Sequence, residues 1–91
     1  MFSGIIEKLG TIRSINTQGE TIYLSVQIEN SNYSIGDSIC VNGVCLTVES
    51  IQGFIYSFCI SPETNKLTTF SNLNKDDIVN IESSLTLDKY I

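Results

Sequence analysis

The segment GDSICVNGVCLTV, residues 36–48, decides the fold, because it contains a hairpin that can be read from the sequence alone. Its centre, Asn42-Gly43, stands between two alternating apolar runs. Asn-Gly in that setting favours a two-residue type I′ turn, which needs positive φ at both central residues. A turn of this length predicts two antiparallel strands in which Cys40 lies opposite Cys45.

The same hairpin predicts which side chains leave the core. By strand alternation, Leu46 and Val48 face the interior, and Cys45 and Thr47 lie together outside it. A thiol and a hydroxyl suit the rim of a ring-binding pocket, where a few polar groups fix orientation. Residues of these types also serve simply for packing, and no cation adjoins Cys45 in the sequence to activate its thiol. The residues alone therefore predict a barrel with a candidate pocket and leave its substrate open.

Alternation with a period of two continues on both sides of the hairpin. Residues 21–29 and 54–60 alternate apolar and polar side chains, and a weaker strand runs through 78–81. A first strand is predicted over residues 2–15, with Gly4 and Gly10 as bends. Turns rich in Gly, Asn and Asp separate these runs at regular intervals. About six short strands in so short a chain predict a small antiparallel barrel, all-β in class.

One segment departs from this rhythm. In residues 61–64, SPET, Ser61 has the character of an N-cap, and Pro62 suits the first position of a helix. Leu67 and Phe70 follow at helical spacing. These features predict a short helix over residues 62–70 that lies across one end of the barrel.

Composition excludes several classes of function. The chain has 91 residues, 42% hydrophobic and 16% charged, which predicts one folded domain. A net charge of −5 disfavours nucleic acid and anionic lipid as partners, because binding them requires neutralising phosphates. The opening residues carry no basic segment or long apolar stretch like those of a signal peptide, and no run approaches the ~18 apolar residues of a membrane span. A cytoplasmic location and no membrane partner are therefore expected.

The cysteine and histidine counts limit the chemistry. Three cysteines form an odd set, which argues against a disulfide framework, and we expect Cys40 and Cys45 to stay reduced. A Cys-x4-Cys pair without histidine is a poor zinc set, so no metal is expected. The chain has no histidine, the commonest general base near neutral pH. Catalysis would therefore rest on binding, orientation, a thiol or a second chain.

Four segments together resemble the lumazine-binding domain of riboflavin synthases. They are the opening residues 1–7 (MFSGIIE), the hairpin segment 36–48, Glu63-Thr64 with the helix through Thr68, and residues 73–82 (LNKDDIVNIE). Their order and spacing match the family over nearly the whole chain. Val44 stands where some relatives have a second cysteine.

This resemblance implies that residues 1–91 are a single lumazine-binding domain, a six-stranded Greek-key barrel holding 6,7-dimethyl-8-ribityllumazine or riboflavin in a shallow cleft. Family enzymes carry two such barrels per chain and associate as trimers, each site lying between barrels of neighbouring chains. They transfer a four-carbon unit between two lumazines, giving riboflavin and a pyrimidinedione, without metal or cofactor. Residues of a second barrel are not in this sequence. We therefore expect weakened binding, little turnover and self-association, most simply as a dimer.

The resemblance also assigns site residues by position, with Cys45 as the catalytic residue. The substrate-binding residues that it implies are Gly4, Ile5, Ile6, Ser38, Val44, Cys45, Leu46, Thr47, Phe58, Cys59, Ile60, Ser61, Pro62, Glu63 and Thr64. A strand end that runs into a helix can present the backbone donors and acceptors that a pyrimidinedione edge needs. Glu63 and Thr64 serve equally well as helix-start residues, and Gly4 as a strand bend.

Two other functions remain open. A lumazine- or flavin-binding protein without catalysis would keep the fold, but such relatives tend to lose the cysteine at the position of Cys45. An unrelated interaction module on a similar barrel would need exposed aromatic residues and a basic groove. Tyr23 and Tyr33 are candidates for such aromatics, whereas the acidic charge disfavours this function.

Overall fold

The computed structural model describes residues 8–66 and 70–83, in which seven strands form one antiparallel sheet. The strands are β1 (Lys8–Gln18), β2 (Thr21–Gln27), β3 (Ser38–Val41), β4 (Val44–Thr47), β5 (Ser50–Gln52), β6 (Ile55–Ile60) and β7 (Ile78–Ser83). A short helix, α1 (Pro62–Lys66), and a 3₁₀ turn, Phe70–Asn72, lie between β6 and β7.

The sheet curls because a bent segment connects its two edges. The strand order is β4-β3-β7-β1-β2-β6-β5, so the edge strands β4 and β5 are separated in sequence only by Val48 and Glu49. The Val48 N–H donates to the Asp37 carbonyl, next to β3, at 2.9 Å, and the Glu49 N–H donates to the Ser57 carbonyl of β6 at 2.9 Å. The chain thus passes from one edge of the sheet to the other within two residues. Together with the non-sequential neighbours β2–β6 and β1–β7, this gives a Greek-key barrel.

The predicted antiparallel barrel is confirmed, with seven strands in the described residues where about six were predicted. The additional strand comes from the bend at Val48-Glu49. The predicted second strand of the hairpin, with Cys45 to Val48, is β4 up to Thr47, and the chain then resumes as β5, paired with β6 instead of β3.

The core consists of the inward faces of these strands, as alternation predicted. Ile22, Leu24 and Val26 of β2 are buried. Their partners across the strands on β6, which are Ile60, Phe58 and Tyr56, are buried as well. The remaining buried apolar residues are Ile12, Ile28, Ile39, Cys40, Val41, Leu46, Val48, Phe70, Val79 and Ile81.

Tyr33 was a candidate exposed aromatic, but its ring packs edge-on against Tyr56 with centroids 5.3 Å apart. Tyr33 is half-buried and contacts the core. The Tyr56 hydroxyl lies 2.8 Å from the Ser31 hydroxyl and accepts a hydrogen bond from the Tyr33 N–H at 3.3 Å. Tyr33 is therefore part of the packing around a buried phenol and does not offer a free stacking surface. Tyr23 is 43% exposed, as predicted.

The Asn42-Gly43 hairpin is confirmed. Both residues have positive φ, 50° and 85°, and Cys40 pairs with Cys45 in the β3–β4 register. The Asn42 side chain has a second role that the sequence did not reveal, since its Oδ1 accepts a hydrogen bond from the Asn80 N–H of β7 at 2.7 Å. The turn is thereby attached to the neighbouring strand.

Gly10 does not serve as the predicted bend. It pairs in register with Val79, and a Cβ at this position would lie 2.7 Å from Cγ1 of Val26. Glycine is required there by close approach. The irregularity of β1 lies further along, between Ile12 and Ser14, where the register with β2 shifts. The prediction for Gly4 falls outside the described residues.

The predicted helix start is confirmed, and the helix is shorter than residues 62–70. The Ser61 hydroxyl accepts a hydrogen bond from the Thr64 N–H at 3.3 Å, which is N-cap geometry. The helix α1 ends at Lys66, and the buried Phe70 begins a separate 3₁₀ turn. Leu67 lies outside the described residues. None of the described helices has the length and apolar character needed to cross a membrane.

Candidate functional site

Cys45 and Thr47 lie together on the outer face of β4, and both are exposed, as the hairpin predicted. Thr47 pairs across the strands with Ser38, which is half-buried, and Cys45 pairs with Cys40. Cys40 is only 1% exposed. None of the three cysteines forms a disulfide. One side of the candidate site therefore presents a thiol and two hydroxyls on adjacent strands.

The opposite side is formed by the end of β6. The hydrogen bond from Glu49 N–H to Ser57 O fixes an antiparallel alignment of the bent segment with β6, and β4 contacts β6. Thr47 of β4 and Cys59 of β6 are both exposed. Beyond Cys59, the chain passes through Ser61 into α1. Two elements that carry predicted site residues, β4 and β6, are thus in contact, and β6 runs on into α1.

Several predicted site residues turn their side chains away from that surface. Leu46, Phe58 and Ile60 are 6%, 2% and 1% exposed and belong to the core, and Val44 packs against it. The three buried residues can contribute only backbone groups to the site. The polar backbone groups at this strand end remain available to a ligand, since β6 ends at Ile60 and α1 begins at Pro62.

The helix start presents side chains of mixed exposure. Glu63 is exposed, and Pro62 and Thr64 are half-buried. The Thr64 hydroxyl lies 3.1 Å from that of Ser61, so it takes part in the cap. Gly4, Ile5 and Ile6, predicted as the pocket floor, lie outside the described residues.

A cleft of about 310 Å³ opens beside this surface, and sequence reasoning missed all but one of its residues. Its lining residues are Ser14, Asn16, Tyr23, Leu24, Ser25, Glu49, Ser50, Ser57 and Phe58. The alternation of β2 and β6 already indicated that Tyr23, Ser25 and Ser57 face outward. The position of Ser14 and Asn16 depends on the irregularity after Ile12, for which the sequence carries no clear signal.

Glu82 was also missed as a notable residue. Its carboxyl-bearing side chain is 6% exposed and pairs across β3–β7 with the buried Cys40. Cys45, Cys40 and Glu82 therefore form one row across three strands on the outer face, of which only Cys45 is exposed. Within residues 8–66 and 70–83, no cluster of three His, Cys, Asp or Glu side chains could hold a metal ion.

The chain is similar to proteins of a known family. The family model described as "Lumazine binding domain" matches residues 3–84. Riboflavin synthase of Bacillus amyloliquefaciens is 38% identical over 88 residues, which cover 94% of this chain and 41% of that protein. Riboflavin synthase of Photobacterium leiognathi is 40% identical over 88 residues, covering 93% and 40%. The chain thus spans about two fifths of the length of these curated relatives.

A solved structure gives the same result at the level of the fold. LumP complexed with 6,7-dimethyl-8-(1'-D-ribityl) lumazine superimposes with a TM-score of 0.86 at 30% identity, covering 92% of this chain and 49% of that one.

Proposed function

The chain belongs to the lumazine-binding domain family, and from this premise we propose that it binds 6,7-dimethyl-8-ribityllumazine and riboflavin as the N-terminal half of a riboflavin synthase. The observation that carries the proposal is that β4, with Cys45 and Thr47 exposed, contacts β6, which carries the exposed Cys59 and runs into α1. The similar protein whose title names ribityl lumazine as its ligand supports the same ligand class.

The residues of this surface suit a flat heterocycle with a polar edge. Backbone groups at the end of β6 offer donors and acceptors to the pyrimidinedione edge, while the small side chains of Cys45, Thr47 and Cys59 leave room for the ring. We assign residues 1–91 to one such domain, with Gly4, Ile5 and Ile6 as further contacts implied by the family resemblance.

The proposed reaction is the transfer of a four-carbon unit between two lumazines, and it needs two ring sites face to face. In this proposal the chain supplies one ring site, with Cys45 as its catalytic residue, and a second barrel supplies the other. The chain contains no histidine, so its own contribution is to bind and orient the ring and to supply the Cys45 thiol. That the chain covers about 40% of the riboflavin synthases it matches supports this division.

A second candidate function is ligand binding without turnover. The absence of histidine from the sequence favours it, because the exposed Cys45 thiol has no histidine of this chain to serve as its base. The two candidates share the ring site and differ only in whether riboflavin is formed.

Assembly and location complete the proposal. Leu9 and Ile78 lie on neighbouring strands β1 and β7 and are 61% and 60% exposed, which supports self-association through this apolar outer face, most simply as a dimer. The family enzymes' trimer would form through longer chains. We propose a cytoplasmic location, which fits three cysteines that form no disulfide with one another.

The binding proposal is tested by titrating riboflavin with the protein and following the quenching of flavin fluorescence. We expect saturable quenching, with an affinity weaker than that of a complete two-barrel site. Cys59→Arg places a large cation on the candidate surface and should weaken binding at least tenfold. Gln52→Arg introduces the same charge at the exposed far end of β5 and should leave binding unchanged. Absence of quenching at millimolar protein, or equal losses in the two variants, would contradict the proposal.

A further inference from the structure

Cys40 and Cys45 lie directly opposite each other in the hairpin of β3 and β4. Residues that are opposite in an antiparallel pair place their side chains on the same face of the sheet. The outer face of this hairpin thus carries two thiols on adjacent strands, and neither is in a disulfide. The third cysteine, Cys59, lies opposite Tyr23 in the β2–β6 register, so no thiol stands across the strands from it in that pairing.

The turn determines which kind of pair the two cysteines form. The Asn42-Gly43 turn has positive φ at both residues, and a turn of this type is closed by hydrogen bonding between the flanking Val41 and Val44. Hydrogen-bonded and non-hydrogen-bonded pairs alternate along an antiparallel ladder, so Cys40 and Cys45 form a non-hydrogen-bonded pair. The Cα atoms of such a pair are about 4.5 Å apart, within the range of about 4.4–6.8 Å that disulfides span.

The two thiols differ in their access to dissolved reagents. Cys45 lies on the edge strand β4 and is exposed, whereas Cys40 lies on β3, between β4 and β7, and is 1% exposed. A reagent therefore reaches Cys45 first, and in the folded protein Cys40 can react only with a group already attached to Cys45. An accessible cysteine beside a second cysteine that resolves its modified form is the arrangement found in reversibly oxidised thiol sites.

We propose that Cys45 and Cys40 are a reversible thiol-oxidation site whose reagent is a low-molecular-weight disulfide such as oxidised glutathione. The Cys45 sulfur attacks one sulfur of oxidised glutathione, and the first reduced glutathione leaves with the Cys45 proton. The Cys40 sulfur then attacks the Cys45 sulfur from the inner strand, and the second reduced glutathione leaves toward solvent with the Cys40 proton. The two thiols are oxidised to one disulfide, and the glutathione disulfide is reduced to two thiols.

Oxidation alters the candidate site because it consumes the thiol that the proposed function places there. The Cys45 sulfur turns toward Cys40 and no longer offers a hydrogen-bond donor to a ligand. This effect on the site rests on the proposed function, whereas formation of the disulfide does not. A reducing glutathione pool keeps the pair as two thiols, in line with the prediction from the sequence, so the disulfide forms only when oxidised glutathione accumulates.

The disulfide can be tested with hydroxylamine, which cleaves the Asn42–Gly43 bond, the one Asn-Gly bond of the sequence. Fully reduced protein is incubated with oxidised glutathione, its remaining thiols are blocked with iodoacetamide in denaturant, and the cleaved chain is weighed by mass spectrometry without reductant. Non-reducing electrophoresis before cleavage checks that no two chains are linked. We expect fragments 1–42 and 43–91 to stay joined, and to separate when a thiol reductant is added.

Variants identify the two linked thiols. Cys45→Ser, at an exposed position, removes the thiol that reacts first and should give separate fragments. Cys40→Ala should stop at glutathione attached to Cys45. Cys59→Ser should leave the fragments joined, which excludes a link between Cys40 and Cys59. Separate fragments from the unmodified protein, or joined fragments from Cys45→Ser, would overturn the proposal.

Riboflavin titrations test the effect of oxidation on the site. They use Cys59→Ser, so that glutathione attached to Cys59 does not contribute, with Cys45→Ser/Cys59→Ser as the matched control that lacks the pair. We expect oxidation to weaken riboflavin binding by Cys59→Ser about threefold to tenfold, to be reversed by reductant, and to have no effect on the control. Equal affinities before and after oxidation would overturn the effect on the site. Failure of the reduced, unmodified protein to bind riboflavin would overturn the proposed function and leave the disulfide result standing.

Discussion

Cys40 and Cys45 face each other across one hairpin, but the side chain of Cys40 is buried and that of Cys45 is exposed. Cys40 is 1% exposed, and Cys45 and Cys59 are exposed. We predict that iodoacetamide labels Cys45 and Cys59 in the native protein and labels Cys40 only after denaturation, as peptide mapping by mass spectrometry will show. Cys45→Ser should change the free energy of unfolding by less than about 0.5 kcal/mol. Cys40→Ser places a hydroxyl among buried groups and should cost about 1–3 kcal/mol. Equal labelling of Cys40 and Cys45, or failure of Cys40 to react in denatured protein because it had oxidised, would contradict this prediction.

Gly10 shows that a single missing methyl group can be a packing requirement. An added Cβ would lie 2.7 Å from Cγ1 of Val26, 3.1 Å from Cγ1 of Ile81 and 3.3 Å from the Gln27 carbonyl. We predict that Gly10→Ala lowers the free energy of unfolding by about 1–3 kcal/mol, because two core strands must move apart. Leu9→Ala, at the preceding exposed position, should stay within about 0.5 kcal/mol. Urea denaturation measures both, and a Gly10→Ala protein as stable as the unmodified one would show that the strands relax freely.

At the scale of elements, the sequence predicted those turns and caps whose conformation depends on adjacent residues. The Asn42-Gly43 turn and the Ser61 cap are set by two to four neighbouring residues, and both are confirmed. The register shift after Ile12 and the bend at Val48-Glu49 were not predicted. They depend on how the curled sheet closes on itself, a condition that involves strands distant in sequence.

The same distinction holds for the candidate site. Exposure of Cys45 and Thr47 followed from alternation along one strand, whereas the cleft beside them did not, because one of its walls consists of Ser14 and Asn16 re-aimed by the shift in β1. For Glu82, the sequence predicts the direction of the side chain but not its burial. Its outward position follows from alternation with Ile81, but its burial depends on what covers the outer face.

The hairpin turn combines a backbone requirement with a contact to another strand. Asn42 has φ of 50°, and its Oδ1 accepts the Asn80 N–H at 2.7 Å. We predict that Asn42→Ala costs about 1–2 kcal/mol of stability, since alanine disfavours this conformation and leaves the Asn80 N–H without its acceptor. Asn42→Asp keeps both the acceptor and the tolerance for positive φ, so it should cost less than half as much. Thermal unfolding of the two variants checks the prediction, and equal losses would assign the whole effect to the amide group.

At the scale of the whole molecule, the proposed division of the site between two barrels predicts poor catalysis by this chain alone. Two lumazines must be held in reacting geometry, and a misplacement near 1 Å costs on the order of a hundredfold in rate. We predict little or no riboflavin formed from 6,7-dimethyl-8-ribityllumazine by the 91-residue protein, with any residual rate reduced further by Cys45→Ser. Riboflavin fluorescence after prolonged incubation measures the rate. Turnover equal to that of a two-barrel riboflavin synthase would contradict the prediction.

Self-association follows from a different part of the surface. Leu9 and Ile78 stand on paired strands, since Leu9 of β1 lies opposite Asn80 and Ile78 is two residues before it on β7. Both are about 60% exposed, so burying them against a second copy removes apolar area from water, which stabilises association. We predict that sedimentation equilibrium shows a dimer that Leu9→Asp/Ile78→Asp converts to a monomer, because carboxylates resist burial. Ile35→Asp, at a loop position 67% exposed, is the control and should leave the dimer intact. Because the proposed ring site lies on the β4–β6 side of the barrel, the monomeric variant should still quench riboflavin fluorescence. A strict monomer before any substitution would remove the basis for assembly through this face.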